Sequence, residues 1–175
     1  MNKEIILTNE RLKLVPLNTH FFESTKKYTT DHENTRFMVH MPKADDTEVM
    51  EFLKYCEDEW NKEKPSFFEF AVIYNNIHIG SVSVYFSPDQ LSAELGYIFD
   101  RNNHGNGFAT ECAQRLITLC REMGVKRMTA HCDSENIASA RVLYKLGMSL
   151  TETKYGRKNR IDSGIRFENS YELIL

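Results

Sequence analysis

Several short segments of the chain alternate between hydrophobic and polar residues, a pattern typical of β-strands with one buried face. The clearest segment precedes a glycine-rich loop, and its alternation sends Glu94, Gly96 and Ile98 to one face of the strand. The opposite, apolar face carries Ala93, Leu95, Tyr97 and Phe99. Similar patterns predict strands at 11–17 and 126–133, and a nearly continuous apolar run predicts a central strand at 67–74. Further strands are expected at 77–86, 149–155 and 166–175. The short turns between 67 and 94 predict that three of these strands form an antiparallel meander.

Other segments repeat apolar residues every three or four positions, which predicts amphipathic helices. We expect helices after Asn18, over 45–62, after the glycine-rich loop and from Asn136. Residues 36–42 predict a short helix followed by a loop, and residues 1–10 a lead-in without fixed structure. A strand, a helix and another strand in succession favour a parallel crossover. The predicted fold class is therefore α/β, with a mixed central sheet in a single domain over residues 1–175.

Composition and charge exclude several classes of function. The chain has 175 residues and a formal net charge of -3, which provides no basic field for a nucleic acid. No apolar run reaches membrane-spanning length and the start of the chain shows no signal peptide, so we expect a cytoplasmic protein without a membrane partner. The cysteines lack Cys-x-x-Cys spacing and the histidines are not paired. We therefore expect reduced cysteines in the core and no metal site.

Two charged segments have simple interpretations. The acidic residues of the helix over 45–62 predict a solvated face, and attraction of a cationic substrate is the alternative. These residues are Glu48, Glu51, Glu57, Asp58, Glu59 and Glu63. The basic residues within 156–164 predict a solvated turn.

The loop from Gly105 to Thr110 opens the helix that follows the strand of Glu94. A helix start has unpaired N–H groups and partial positive charge, and glycines let an anion approach it closely. A P-loop is excluded because Gly107 is not followed by Lys and then Ser or Thr. A dinucleotide-binding fingerprint is excluded because Thr110 occupies the position of its third glycine. The remaining interpretations are a diphosphate-binding loop or a plain tight turn.

Two motifs together resemble one family, the GNAT acetyltransferases. The segment 104–109, His-Gly-Asn-Gly-Phe-Ala, is similar to the Gln/Arg-x-x-Gly-x-Gly/Ala signature of that family. The segment 136–148, which begins Asn-Ile-Ala-Ser and ends Lys-Leu-Gly-Met, is similar to a later family segment. The sequences at 11–17 and 107–111 resemble the RimJ/RimL-type branch. The resemblance follows the order of elements over essentially the whole chain.

The resemblance implies a GNAT-type fold with a mixed central sheet of about seven strands, splayed in the middle and flanked by about four helices. It implies acetyl-CoA as co-substrate, bound in the gap between the splayed strands. The pyrophosphate would meet the amides after His104, and the pantetheine arm would follow the preceding strand. The implied binding residues are Gly96, Tyr97, Ile98, His104, Gly105, Asn106, Gly107, Phe108, Ala109, Thr110 and Asn136.

The sequence departs from the family pattern where many members carry a tyrosine that protonates the leaving thiolate. That position is Leu143 here, and Tyr144 lies about 100° round the helix, so it should point elsewhere. Ser139 is the RimJ/RimL-type candidate for a group on the sulfur side, with close packing of a small residue as the alternative. His104 and Asn106 also depart from the signature, where backbone groups make most of the expected contacts.

Acetyl transfer to an amine requires a neutral nucleophile, and Glu94 is the carboxylate on the strand expected beside the thioester. We interpret Glu94 as the group that takes the amine proton, through a water molecule, with a surface ion pair as the alternative. A backbone N–H near Ile98 would hold the oxyanion. No cysteine nucleophile is needed because attack on the thioester is direct. A protein α-amine titrates near roughly 7.7–8.0, so it needs less help from a carboxylate than a lysine does.

The predicted function is therefore acetyl-CoA-dependent N-acetylation of a primary amine, with a protein N-terminal α-amine favoured. A polyamine, an amino acid or an antibiotic amine is the alternative acceptor. A different class of function is a non-catalytic acyl-CoA-binding module on the same fold. The final strand could also pair across subunits of a homodimer.

Overall fold

The computed structural model describes residues 5–39, 45–161 and 164–175. Within these ranges the chain forms eight strands and five α-helices, close to the approximate counts expected. The strands are β1 (Leu7–Thr8), β2 (Leu12–Pro16), β3 (Phe67–Tyr74), β4 (Ile77–Phe86), β5 (Ser92–Phe99), β6 (Arg127–Asp133), β7 (Ser149–Lys158) and β8 (Ile165–Ile174). The helices are α1 (Phe22–Thr29), α2 (His32–Thr35), α3 (Asp46–Trp60), α4 (Phe108–Glu122) and α5 (Ile137–Lys145).

All eight strands belong to one mixed sheet, in the order β1-β2-β3-β4-β5-β6-β8-β7. Strands β5 and β6 are parallel, as the crossover through α4 predicts, and they pair only from Ser92 to Glu94. Beyond Glu94, β5 continues to Phe99 and β6 continues to Asp133 without further pairing between them. The sheet is therefore splayed at its middle, and this confirms the expected gap.

Helices cover both faces of the sheet. One face packs on α4, whose buried residues Phe108 and Leu116 join the odd-numbered residues of β5 in the larger core. The other face packs on α3, where Leu53 and Cys56 meet Phe67 and Ala71 of β3 in a second core. A fully buried leucine contributes about 1.5–3 kcal/mol, so both helices are held to the sheet mainly by apolar burial.

The start of the chain is more ordered than predicted. Leu7 and Thr8 form β1, which pairs with Leu14 and Lys13 of β2, and Leu7 is buried. The expectation of an unfixed lead-in is therefore wrong at these residues, because pairing and burial outweigh the weak local pattern. Within the described residues β1 pairs only with Lys13 and Leu14, so Pro16 has no strand partner on that side of β2, which suits a residue without an N–H group.

Two other predicted segments also differ. Strand β7 runs on through Gly156 to Lys158, with a shift in register against β8, so the turn predicted at 156–164 begins too early. A helix forms at 32–35, and 36–39 are not helical; the rest of the helix and loop predicted at 36–42 lies outside the described residues.

The acidic face of α3 is not solvated throughout. Glu59 is buried, and its carboxylate accepts a hydrogen bond from the backbone N–H of Ser66 at 2.9 Å and forms an ion pair with Lys62. These partners compensate for the loss of water, which explains why an acidic residue of this helix can face inward. Glu51, Glu57 and Asp58 are exposed as expected.

Candidate active site

The gap between β5 and β6 leaves one edge of β5 without a strand partner. Gly96, Tyr97 and Ile98 lie on this edge, immediately beyond the last paired residue, Glu94. Backbone groups on a free edge can bind an extended ligand as an added strand would be bound. The structure thus brings the three residues predicted to follow a pantetheine arm to an edge that is open to such contacts.

The loop after β5 forms an open cradle at the start of α4. Gly105 and Gly107 both have φ of +79°, a left-handed conformation that glycine adopts without strain, and a Cβ at either position would meet nothing within 4 Å. Helix α4 has 15 residues, and Gly107 at its N-cap supplies no side-chain hydrogen bond. No side chain at Gly105 or Gly107 therefore blocks the first amides of α4, which can bind an anion.

His104 and Asn106 shape the cradle through backbone contacts. The carbonyl of Phe99 accepts a hydrogen bond from Nε2 of His104 at 3.0 Å, which ties the loop to the end of β5. The side-chain amide of Asn106 donates to the carbonyl oxygens of Asn103 and His104 at 3.1 and 3.3 Å. His104 and Asn106, which depart from the family signature, therefore stabilise the loop by hydrogen bonds to backbone carbonyl groups.

Arg11, immediately before β2, also stabilises the glycine-rich loop at the start of α4. Its Nη2 donates to the carbonyl of Asn106 at 3.2 Å and to Oε2 of Glu111 at 2.7 Å, and its guanidinium lies 4.9 Å from the ring centroid of Phe108. Sequence reasoning did not identify Arg11 as a site residue, because it lies 95 positions from Asn106. The only sequence signal was the place of Arg11 at the start of the segment resembling the RimJ/RimL-type branch.

A hydrogen bond joins β5 to α5, the helix that follows β6. The hydroxyl of Tyr97 on β5 lies 2.7 Å from the hydroxyl of Ser139 on α5, and it also donates to the Ser139 carbonyl at 3.3 Å. Burial raises the pKa of Tyr97, so the phenol is neutral. Asn136 accepts a hydrogen bond from the Ser139 N–H at 3.1 Å as the N-cap of α5, which orients the same turn.

Leu143 occupies the position where many family members carry a tyrosine, and Tyr144 points elsewhere, as predicted. Leu143 is fully buried in the larger core, whereas Tyr144 is 56% exposed and its ring packs edge-on against Tyr171. Leu143 has no group that can donate a proton. The hydrogen-bonded hydroxyl groups of Tyr97 and Ser139 are candidates for that role on this side of the sheet.

Glu94 lies at the point where the sheet begins to split. It pairs with Tyr85 of β4 on one side and with Thr129 of β6 on the other, and its side chain is exposed. Directly opposite residues in a sheet share a face, so Glu94 projects from the same face as Tyr85 and Gly96. This is the face that carries α1 and α3.

A second carboxylate lies on that face, and sequence reasoning missed it. Glu69 of β3 is 4% exposed and accepts a hydrogen bond from the hydroxyl of Tyr85 at 3.2 Å. Burial raises its pKa to about 7, against the opposing effect of hydrogen bonds from Ser81, Tyr85 and Ser83. The signal in the sequence was one acidic residue inside an otherwise apolar strand. Only strand register shows that it lies in the same row as Gly96, with Ser83 of β4 between them.

The remaining expectations about chemistry concern cysteines, metals and membranes. All four cysteines are buried and free, and burial raises the pKa of each thiol. Among residues 5–39, 45–161 and 164–175, no group of three or more metal-binding side chains comes together. Helices in the same ranges are too short or too polar to cross a membrane.

The sequence of this chain matches one protein family and is similar to several relatives. Residues 11–149 match the family described as acetyltransferase (GNAT) domain. A Bacillus subtilis (strain 168) protein, the uncharacterized N-acetyltransferase YnaD, is 27% identical over 143 residues, which are 81% of this chain and 81% of YnaD. A Bacillus licheniformis protein, the uncharacterized N-acetyltransferase p20, is 27% identical over 142 residues, 80% of each chain.

Solved structures share the fold at lower identity. RimL, a ribosomal L7/L12 alpha-N-protein acetyltransferase in complex with coenzyme A, is similar with a TM-score of 0.84 at 16% identity, covering 97% of this chain and 98% of RimL. The Microcin C7 self-immunity acetyltransferase MccE, in complex with acetyl-CoA and AMP, has a TM-score of 0.81 at 17% identity, covering 95% and 94%. At these identities the likeness concerns the fold, which is the one implied by the resemblance.

Proposed function

This chain belongs to the acetyltransferase (GNAT) family and is an N-acetyltransferase, and we propose that its acceptor is a primary amine, with a protein N-terminal α-amine favoured. One observation supports acetyl-CoA as the acetyl donor in this proposal: the open loop at Gly105 and Gly107 follows the strand β5, whose edge beyond Glu94 is not paired with β6. The two features together suit a long co-substrate with a diphosphate at one end and an extended arm at the other.

The residues of the cradle and edge fit acetyl-CoA. The amides from Gly105 to Thr110 would receive the diphosphate, as an N-terminal helix turn binds anions. The free edge of β5 at Gly96, Tyr97 and Ile98 would hold the arm by backbone hydrogen bonds. Bound there, acetyl-CoA supplies an activated acetyl group, so correct placement of the amine accounts for much of the rate.

Glu94 and Ser139 have distinct proposed roles in the transfer. Glu94 takes a proton from the amine through a water molecule, which leaves the nitrogen lone pair free to attack. The N–H near Ile98 holds the oxygen that gains negative charge. Ser139, with its hydrogen bond to Tyr97, lies on the opposite side of the gap and serves the departing sulfur.

The choice of an α-amine rests on acidity and on the fold. An α-amine is partly neutral near pH 8, whereas a lysine amine with a pKa near about 10.4 is almost entirely charged. RimL, whose fold this chain shares, acts on an α-amine according to its name. MccE shares the fold equally and is named for self-immunity to a microcin, so a small-molecule amine is the second candidate acceptor.

Acetylation of an amine panel tests the function. The panel contains a peptide with a free N-terminus, the same peptide blocked at the N-terminus but carrying a lysine, a polyamine and an amino acid, each with acetyl-CoA. Mass spectrometry should show one added acetyl group, with the free N-terminal peptide modified fastest. Preferred acetylation of the polyamine or amino acid would move the assignment to a small-molecule acceptor. Coenzyme A binding with no acetylation of any amine would favour the binding-module alternative.

A further inference from the structure

The face of the sheet beside Gly96 carries a cluster of polar side chains that the proposed reaction has not yet used. Glu69 and Ser83 are directly paired across β3 and β4, and Ser83 is paired with Gly96 across β4 and β5. A Cβ at Gly96 would lie 2.6 Å from Oγ of Ser83 and 3.9 Å from Cε2 of Tyr85. The ring of Tyr85 and the hydroxyl of Ser83 therefore stand directly beside the backbone of Gly96.

Tyr85 connects this surface to the buried carboxylate. Its side chain is 42% exposed, its ring stacks on Phe67, and its hydroxyl donates to Oε2 of Glu69. An ionised carboxylate can only accept hydrogen bonds, so the Tyr85 proton must point toward Glu69. The Tyr85 oxygen then accepts a hydrogen bond from the Ser83 hydroxyl and has a second lone pair left for an arriving donor.

We propose that Tyr85, held by Glu69, binds the acceptor amine and orients it toward the gap at Gly96. One N–H of the amine donates to the Tyr85 oxygen, while the nitrogen lone pair remains free for attack. Glu69 does not touch the substrate and is a positioning residue. The inference rests on the proposed function and adds to it the acceptor subsite, which takes a primary amine as a hydrogen-bond donor.

The charge on Glu69 then controls acceptor binding. A protonated Glu69 can donate its own proton to the Tyr85 oxygen and so occupy the lone pair that the amine requires. The pKa of Glu69 lies at about 7. The negative charge of Glu69 raises the pKa of three nearby groups, which are Tyr28 of α1, Cys56 of α3 and Tyr85 of β4. All three groups are therefore neutral near pH 7. Acceptor binding should therefore weaken as the pH falls through about 7.

Steady-state kinetics of Glu69→Gln and Tyr85→Phe test this arrangement with the amine that is acetylated fastest. Each variant should raise the amine KM about tenfold at pH 8, the factor expected from one lost hydrogen bond. The kcat should stay within about threefold and the acetyl-CoA KM should be unchanged. Glu59→Gln is the matched control, because Glu59 is also a buried glutamate but lies on α3 with Lys62 and Ser66 as partners. Its amine KM should equal that of the wild type.

The pH dependence separates this role from a purely structural one. The ratio of amine KM between Glu69→Gln and the wild type cancels the titration of the amine itself. We expect this ratio to fall from about tenfold at pH 8 toward one at pH 6, where about nine-tenths of Glu69 is protonated. Tyr85→Phe removes only the hydroxyl of a partly exposed side chain and provides a second test if Glu69→Gln does not fold.

Three contrary results can be told apart. A wild-type amine KM and pH dependence in folded Glu69→Gln or Tyr85→Phe would overturn the acceptor subsite and leave the acetyltransferase function standing. Equal losses in kcat with no change in amine KM would also overturn it, because the pair would then act on the reaction rather than on binding. Absence of acetylation by the wild type with every amine would refute the proposed function and the inference together.

Discussion

The hydroxyl of Tyr97 lies 2.7 Å from the hydroxyl of Ser139, and this hydrogen bond joins β5 to α5 across the splayed part of the sheet. Strand pairing between β5 and β6 has already ended at Glu94. The bond therefore connects the two sides of the gap where backbone hydrogen bonds no longer do so. The bond also provides a pair of neutral hydroxyl groups in a chain whose Leu143 replaces the tyrosine that many family members carry.

Loss of the Tyr97 hydroxyl should slow the chemical step. Tyr97→Phe keeps the partly buried ring, so we expect a folded protein with unchanged amine KM and a kcat reduced about tenfold or more. Ser139→Ala should have a similar effect, and the double variant should be little worse than either single variant because the two hydroxyls act as a unit. Single-turnover kinetics of all three proteins measure this coupling. Fully additive losses would contradict a shared role.

Substitution of Gly107 should prevent binding of the co-substrate. Gly107→Val places a side chain in the cradle and also strains a residue with φ of +79°. We expect coenzyme A affinity to fall at least tenfold, measured by calorimetry. Gly124→Val is the matched control, since Gly124 has φ of +85° and equally open surroundings just beyond the other end of α4. The control should lose stability but keep its affinity; an equal loss of affinity in both would remove the cradle from the mechanism.

Removal of the Glu94 charge should affect turnover and leave binding intact. Glu94→Gln is a change of an exposed side chain, so the fold and the coenzyme A affinity should be preserved. The kcat at pH 7 should fall about a hundredfold if this carboxylate takes the amine proton. Glu122→Gln, an exposed glutamate at the end of α4, is the control and should keep wild-type turnover. Full activity of Glu94→Gln would refute the assignment.

His78 should make the protein sensitive to acid. Its Nε2 donates to the carbonyl of Gly80 at 2.9 Å, and burial lowers its pKa to about 4. Because the pKa is lower in the folded state than near 6.5 in the unfolded chain, the stabilisation is present above pH 6.5 and is lost as the pH falls toward 4. The loss amounts to at most about 3 kcal/mol. Urea unfolding of the wild type and His78→Gln should show a difference in stability that narrows across this range.

Titration of Glu69 should make the protein less stable as the pH rises, which is opposite to the effect of His78. Its folded pKa of about 7 lies above the value of 4.5 for a free glutamate, so the folded state binds the proton more tightly. The stabilisation is full below pH 4.5 and is lost as the pH rises through 7, by at most about 3 kcal/mol. Glu69→Gln should therefore gain stability relative to the wild type between pH 5 and pH 8. Parallel stability curves for the two proteins in urea would show that Glu69 titrates normally.

The local pattern of residues was sufficient for most elements of the fold. Alternation predicted β5, a nearly continuous apolar run predicted β3, and three- and four-residue spacing predicted α3 and α4, because the buried faces of a strand or helix must be apolar. The expected cradle at Gly105 and Gly107 has the open left-handed geometry that glycine allows. The assignment of the phosphates to that cradle, and of proton transfer to Glu94, stays a prediction.

The sequence by itself thus determined the order and type of the elements, since their signals lie within a few consecutive residues. Only the tertiary structure decided which distant residues meet: Arg11 with Asn106, Tyr97 with Ser139, and Glu69 with Tyr85. Burial of Leu7 and of Glu59 likewise depended on partners elsewhere in the chain. Strand register and helix packing set these contacts, and they depend on the whole core, so the periodicity of one segment carries no information about them.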